Sequence, residues 1–345
     1  MRVGTALGLL VLIWAAASCG EPQLELPAEV TVADGFTLEL VATGLEGPTQ
    51  MARTPAGDIV VGELAGSENA AQGRVVLIDG DDFGQRTTLA TGLDKPTGVA
   101  VVGDALWVMQ RDSLWVGQFD GASPVELAPV LTDLASNGRS EGTLTITPQG
   151  SLLFNTSGSK RGAERVDGSA TLFVIDEPTL TPSSPEPFAT GFKHAYAHTY
   201  TADGQLWSVE MTDGNFDGER AADELVQVTA GDDAGWPYCV GDNRPVTEFG
   251  GDAERCETTP PSHALFDPGA TPTSVLAPPW SDDTLLITLW LSSRVVTVPT
   301  NPASAPHVAT NVIEGIESPQ SLLVDGDTVL IADHETGGLF ALARE

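Results

Sequence analysis

Thr43-Gly-Leu-Glu-Gly-Pro48 opens a short apolar stretch, a Gly57-Asp58 turn and a second apolar stretch that ends at Gly62. The same sentence returns as Thr91-Gly-Leu-Asp-Lys-Pro96 running to Met109, as Thr190-Gly-Phe192 running to Glu210, and as Glu314-Gly-Ile-Glu-Ser-Pro319 running to Asp333. Weaker copies run from Asn137 to Asn155 and from Thr271 to Leu289. Long-period repetition of a strand pair is the signature of a propeller, in which each blade buries its faces against its neighbours. Runs such as Val75-Val-Leu-Ile78, Leu172-Phe-Val-Ile175 and Leu285-Leu-Ile-Thr-Leu289 are short, rich in β-branched residues and bounded by Gly, Pro, Asp or Asn. No segment carries a sustained helical period with caps.

The expected fold is all-β, one six-bladed β-propeller over residues 30–345 with about four antiparallel strands per blade. Val30-Thr-Val32 together with Gly35 to Val41 reads as an outer strand that pairs with the last strand, Gly338 to Leu342, and closes the ring. In each copy the residues before the first strand and after the second emerge on one face, which is where function is expected. Those positions include Thr49, Thr97, Arg139, Lys193, His194 and Gln320, and Glu63, Gln110, Asn155, Glu210, Trp290 and Asp333.

Residues 1–18 read as a signal peptide, with Arg2 as the positive start and Leu7 to Ile13 as an apolar core too short for a comfortable membrane span. Small residues Ala15-Ala-Ala-Ser18 before Cys19 resemble a bacterial lipobox, so Cys19 is the expected lipidation site and residues 19–29 a tether. This places the chain in the bacterial envelope, periplasmic or at the cell surface, held to a membrane by its lipid; an ordinary secretory cleavage nearby is the alternative. In such a compartment Cys239 and Cys256 are expected to form a disulfide. A formal net charge of −32 repels nucleic acid, so no nucleic-acid partner is expected. The expected oligomeric state is a monomer.

Thr190-Gly-Phe-Lys-His194, Asp203-Gly-Gln-Leu-Trp207, Asp223-Glu-Leu225 and Gly235-Trp-Pro-Tyr-Cys239 together resemble the soluble quinoprotein glucose/sorbosone dehydrogenase family, its sorbosone-dehydrogenase-like branch in particular. The resemblance covers most of the chain after the leader. It implies a six-bladed propeller that binds pyrroloquinoline quinone (PQQ) and calcium on one face and oxidises sugars or polyols. The family's catalytic histidine falls at Arg139, with Ser140 and Glu141 beside it, and its Arg-Asn pair before the fourth inner strand falls at Lys193-His194. Later family histidines fall at Gly269 and Trp290. Lysine keeps a charge but lacks the flat fork of arginine. Alcohol oxidation needs a proton acceptor, and Glu141 and His194 are the candidates; His198 sits one residue too far along its strand to face the mouth. Arg139, Lys193, Lys160 and Arg161 are the candidates for holding an anionic cofactor.

Asp213-Gly-Asn215-Phe-Asp217-Gly218-Glu219, ending at Glu224, has the spacing of a calcium loop. Asp213, Asn215, Asp217, Glu219 and Glu224 are therefore the candidate ligands, against the alternative of a solvated acidic loop. Two further readings stay open: a non-catalytic binding propeller, and a calcium-dependent lactonase-like propeller that would gather Glu63, Asn155 and Asp333 around the axis.

Overall fold

The computed structural model describes residues 24–345 except 68, 139–140, 160–164, 213 and 302–304. Six antiparallel sheets follow one another along the chain as the blades of a propeller. Blade 1 holds Pro48–Arg53, Ile59–Glu63, Gly73–Ile78 and Arg86–Leu93; blade 2 holds Gly98–Val102, Ala105–Met109, Leu114–Gln118 and Ala128–Leu131. Blade 3 holds Thr145–Ile146, Leu152–Thr156, Thr171–Ile175 and Glu186–Thr190; blade 4 holds Ala197–Tyr200, Leu206–Glu210, Asp223–Val228 and Ala264–Phe266. Blade 5 holds Pro272–Leu276, Thr284–Leu289, Arg294–Pro299 and Thr310–Glu314. Blade 6 takes three strands from the C-terminal end, Pro319–Asp325, Thr328–Asp333 and Leu339–Arg344, and its fourth, Phe36–Ala42, from the N-terminal end.

That last pairing closes the ring as expected, with Leu38 opposite Leu342. The segment ahead of it behaves differently. Thr31–Val32 pairs with Ile313 and Glu314 at the outer edge of blade 5, and the chain then turns at Gly35 (φ 83°) into blade 6. The apolar pattern runs through both pieces, so the split is set by the Asp34-Gly35 turn, where the left-handed backbone is cheap only for glycine.

The core is divided between the blades. One cluster joins blades 1 and 2 through Val60, Val75, Val99 and Val108; another joins blades 2 and 3 through Trp107, Met109, Leu152 and Phe154. Equivalent clusters fill the remaining interfaces, including blade 6 to blade 1 through Leu330, Leu339, Val61 and Ile78. Each fully buried Val, Leu, Ile or Phe contributes about 1.5–3 kcal/mol, and no blade can bury its faces alone.

The inner strands are also stitched to one another beside the axis. Thr49 Oγ1 donates to Pro96 O (2.6 Å), Thr97 Oγ1 to Gly142 O (3.3 Å), Thr145 Oγ1 to His198 O (2.8 Å) and Thr273 Oγ1 to Pro319 O (3.2 Å). Gln50 spans further: its Oε1 accepts from Val99 N and Leu144 N, and its Nε2 donates to Leu144 O. These bonds satisfy buried polar groups that would otherwise cost about 1–3 kcal/mol each.

Helix is almost absent among the described residues, as the sequence implied. Blade 4 carries an insertion between its third and fourth strands. There Asp252 caps the four-residue helix Ala253–Cys256 by accepting from Arg255 N, and a disulfide joins Cys239 to Cys256 with Cα atoms 5.7 Å apart. Trp236, Val240 and Val246 of the insertion form an apolar cluster with Phe216 and Ala221 from the loop between the second and third strands and with Ala170 of blade 3.

Candidate functional site

A cavity of about 600 Å³ opens where the inner strands begin, lined by Thr49, Asn69, Lys95, Thr97, His194, Tyr196, Met211, Trp290, Gln320, His334 and other residues of the same loops. Six turns of the repeat therefore supply one mouth, and Thr49, Thr97, His194, Trp290 and Gln320 stand where the repeat places them. Gln320 Nε2 donates to Tyr196 Oη (2.9 Å), linking blades 6 and 4 across the opening. His194 packs edge-on against Tyr196 with ring centroids 5.4 Å apart. A second cavity, about 340 Å³, lies further along the same strands, and His198 lines it. His198 is thus directed away from the mouth, and complete burial pushes its pKa down to about 3.

The residues that end each second strand have a structural task. Glu63 accepts from Glu46 N (3.0 Å), Gln110 Oε1 from Asp94 N (2.7 Å), Asp333 from Ser318 N (2.8 Å), and Glu210 from Lys193 N. In four blades a buried side-chain oxygen holds the loop that enters the inner strand. Glu63 also meets Arg74, and Asp333 accepts from Thr336 Oγ1. Glu63 and Asp333 face their own loops, and neither they nor Asn155 lines the cavity, so the lactonase-like gathering of the three at the mouth is not seen.

Glu141 and Lys193 both hold one segment, residues 157–159. Glu141 accepts from Ser157 N (2.7 Å) and Ser157 Oγ (2.9 Å), and neither it nor Lys193 belongs to the cavity wall. Burial pushes the Glu141 pKa up to about 8. A carboxyl that is enclosed, engaged through both oxygens and inclined to hold a proton at neutral pH is an anchor for the segment, not an acceptor open to substrate. Lys193 Nζ donates to Ser159 O and lies 5.2 Å from the centre of the Trp236 ring. Trp236 packs over Gly158, where an added Cβ would meet the ring carbons at 2.6–2.9 Å. Arg139, Ser140, Lys160 and Arg161, like Asp213, Cys19 and the leader, lie outside the described residues.

The expected calcium loop takes another shape. Asn215–Phe216 and Glu219–Arg220 form a hairpin whose two turn residues, Asp217 (φ 53°) and Gly218 (φ 82°), are both left-handed. Asp-Gly between alternating residues is also a strong hairpin signal, and with strands before and after it the hairpin prevails. The Asp217 carboxylate accepts from Thr247 N, Thr247 Oγ1 and Glu248 N. Glu219 sits in the hairpin, while Glu224 lies in the third strand of blade 4, opposite Glu210, and accepts from Ser262 Oγ. Asn215, Asp217, Glu219 and Glu224 thus do not converge, and among the described residues no group of three or more His, Cys, Asp or Glu is arranged to hold a metal ion.

Several residues of the mouth lie outside the positions that the repeat marks, among them Asn69, Tyr196, Lys95 and His334. Lys95 stands in Asp94-Lys95-Pro96 where the first copy has Glu46-Gly47-Pro48, and it takes the left-handed backbone (φ 52°) that Gly47 (φ 63°) takes there. Aligning the repeats would have exposed it, since a lysine at a glycine position is strained. His334 follows the last residue of a second strand by one, so the repeat points to its neighbour Asp333 instead.

No family model and no curated protein matches the sequence. Solved structures do match in fold. The calcium structure of a Trichoderma reesei carbohydrate-active enzyme of family AA12 superposes with a TM-score of 0.78 at 16% identity, covering 95% of this chain and all of that one (100%). The holo form of the pyranose dehydrogenase PQQ domain from Coprinopsis cinerea gives 0.75 at 16% identity, covering 94% and 98%. The PQQ-bound aldose sugar dehydrogenase from Streptomyces coelicolor gives 0.68 at 17% identity, covering 91% and 100%. The chain spans essentially the whole length of each, and the likeness establishes the propeller.

Proposed function

We propose that this propeller is a quinone-dependent dehydrogenase of the glucose/sorbosone dehydrogenase type, acting on a sugar or polyol at the blade mouth. The observation that carries the reading is the make-up of that mouth. Its wall combines a buried lysine, Lys95, with amide, hydroxyl and imidazole groups from Asn69, Gln320, Thr49, Thr97 and His194 and with the rings of Trp290 and Tyr196; two carboxylates, Asp223 and Glu335, also line it. In a chain of net charge −32 this is a local concentration of donors, and it suits a planar, multiply carboxylated ligand such as PQQ. The solved neighbours include PQQ-bound dehydrogenases of the same fold.

The residues present fit the quinone in kind: Lys95 would meet a carboxylate, the Thr and Gln groups would complete its hydrogen bonds, and Trp290 would lie against a flat face. The bound quinone would supply the uptake of hydride. The chain itself binds and orients the substrate hydroxyl, and the two aromatic rings offer sugar C–H faces an apolar surface. Glu210, Glu63 and Asp333 hold the loops at fixed positions, which limits the motion of the groups they carry. The carboxylate set expected for calcium does not fit that ion. Calcium would have to draw its oxygens from backbone carbonyls and the ligand, and no step is derived through it.

Purified protein mixed with PQQ and calcium and assayed by dye reduction against a panel of sugars tests the activity; no reduction with any sugar at saturating quinone would refute it. The second reading is a binding propeller without catalysis, favoured by the enclosure of Glu141 beside the position where the family carries its histidine. Export and lipid attachment at Cys19 are inferred from residues 1–19, and the disulfide in blade 4 supports an oxidising compartment. Mass spectrometry of the mature N-terminus tests them: a diacylglyceryl cysteine is expected, and an unmodified chain starting elsewhere would contradict it.

A further inference from the structure

The chain has five histidines, and in one of them, a residue of the mouth, a hydrogen bond fixes the tautomer of the ring. His263 and His307 direct Nε2 to the carbonyls of Pro299 and Asn301, away from the cavity. His198 lines the other cavity, and His194 is 5% exposed with its ring against Tyr196. His334 is different. Its Nδ1 lies 2.9 Å from Pro48 O. A carbonyl only accepts, so Nδ1 carries the hydrogen, and in the neutral ring Nε2 holds the lone pair. Nε2 makes no hydrogen bond to the described residues and is not among the enclosed polar atoms, while the residue lines the 600 Å³ cavity.

The ring is held from three sides. Trp290 packs on it at 81° with centroids 5.9 Å apart. Gly47 leaves it room, since a Cβ there would stand 3.2 Å from Cε1. The backbone of His334 donates to Ser318 O (2.9 Å), inside the loop that Asp333 anchors. An imidazole with a fixed tautomer and orientation and an open Nε2 has the geometry of a general base. Two carboxylates line the mouth beside it: Asp223 accepts from Thr212 N and Thr271 N, and Glu335 is the next residue in the chain, while Glu141 is enclosed by Ser157 away from the wall.

We infer that His334 Nε2 is the proton acceptor of this mouth, supplied from blade 6 in place of the histidine that the family pattern puts before blade 3. The inference rests on the dehydrogenase reading. In the step, the substrate O–H bond breaks and its proton passes to Nε2, giving an imidazolium whose Nδ1–H remains on Pro48 O. The carbon–oxygen double bond forms as the adjacent C–H bond breaks, and its electron pair leaves with the hydrogen as hydride to a quinone-class oxidant.

The test uses His334→Asn, whose amide nitrogen can still donate to Pro48 O but whose oxygen is not a base, together with His334→Ala. Three quantities are read: PQQ binding by absorbance, the rate of quinone reduction by sugar in a single turnover, and the imidazole 15N shifts of the protein without cofactor. The expected results are quinone binding within about threefold of wild type, reduction slowed on the order of 10²-fold or more in both variants, and partial recovery of His334→Ala by added imidazole. The 15N spectrum should show a protonated Nδ1 and an unprotonated Nε2 for His334. Unchanged reduction in His334→Asn, or a protonated Nε2 in the neutral ring, would overturn the assignment while leaving the dehydrogenase intact. Failure of wild type and variants alike to bind quinone would instead remove the reading on which it rests.

Discussion

Glu141 and His198 are both enclosed ionisable groups, and they move stability in opposite directions with pH. Burial raises the Glu141 pKa from 4.5 to about 8, so the folded protein keeps a proton that the unfolded chain releases. Its contribution is full below 4.5 and is lost as pH rises toward 8. Burial lowers the His198 pKa from 6.5 to about 3, so the folded protein refuses a proton that the unfolded chain accepts. That contribution is full above 6.5 and is lost as pH falls toward 3. Denaturant titrations at pH 5 and 8.5 should therefore show Glu141→Gln gaining on the order of 3 kcal/mol relative to wild type at the higher pH. Part of the slope will persist, because burial also raises Glu210 and Glu224. His198→Asn, which retains a donor toward Thr145, should flatten the acid limb. Identical pH profiles for wild type and both variants would contradict these assignments. The sequence placed His198 away from the mouth but gave no sign of either shift. Glu141 looked like a base because it neighbours the family's histidine position, and only the Ser157 contacts reveal it as an anchor.

At the level of the elements, the strands were legible because each alternates or runs apolar between Gly, Pro and Asp turns. The two misreadings arose where one pattern serves two shapes. Val30-Thr-Val32 fits an outer strand of blade 5 as well as of blade 6, and the choice is made by Gly35. Asp213 to Glu224 fits a calcium loop and a hairpin, and the choice is made by the strands around it. The blade 4 insertion packs through Trp236 on Gly158 and Lys193, and two substitutions probe it. Gly158→Ala drives a Cβ into the Trp236 ring and should cost about 1–3 kcal/mol, with a change in tryptophan fluorescence; an unaltered spectrum and midpoint would show that the ring has room. Replacing Cys239 and Cys256 by serine removes a crosslink across 17 residues and should cost about 3 kcal/mol, measured by denaturant unfolding; no loss would mean that the cluster of Phe216, Trp236 and Val246 holds the insertion by itself.

Taken as a whole molecule, the propeller concentrates six loop sets on one opening, and the repeat reveals where that opening is before it reveals what lines it. Thr49, Thr97, His194, Trp290 and Gln320 follow from the repeat alone. Lys95 requires aligning one copy against another. His334 depends on a hydrogen bond to Pro48, 286 residues away, which no local pattern encodes. The central claim is that this mouth holds an anionic quinone through Lys95, and calorimetric titration of the purified protein with PQQ tests it most directly. The account predicts saturable one-to-one binding that weakens at least about tenfold in Lys95→Met, the loss expected when one charge-assisted hydrogen bond is removed; no saturable binding, or equal binding by wild type and Lys95→Met, would contradict it.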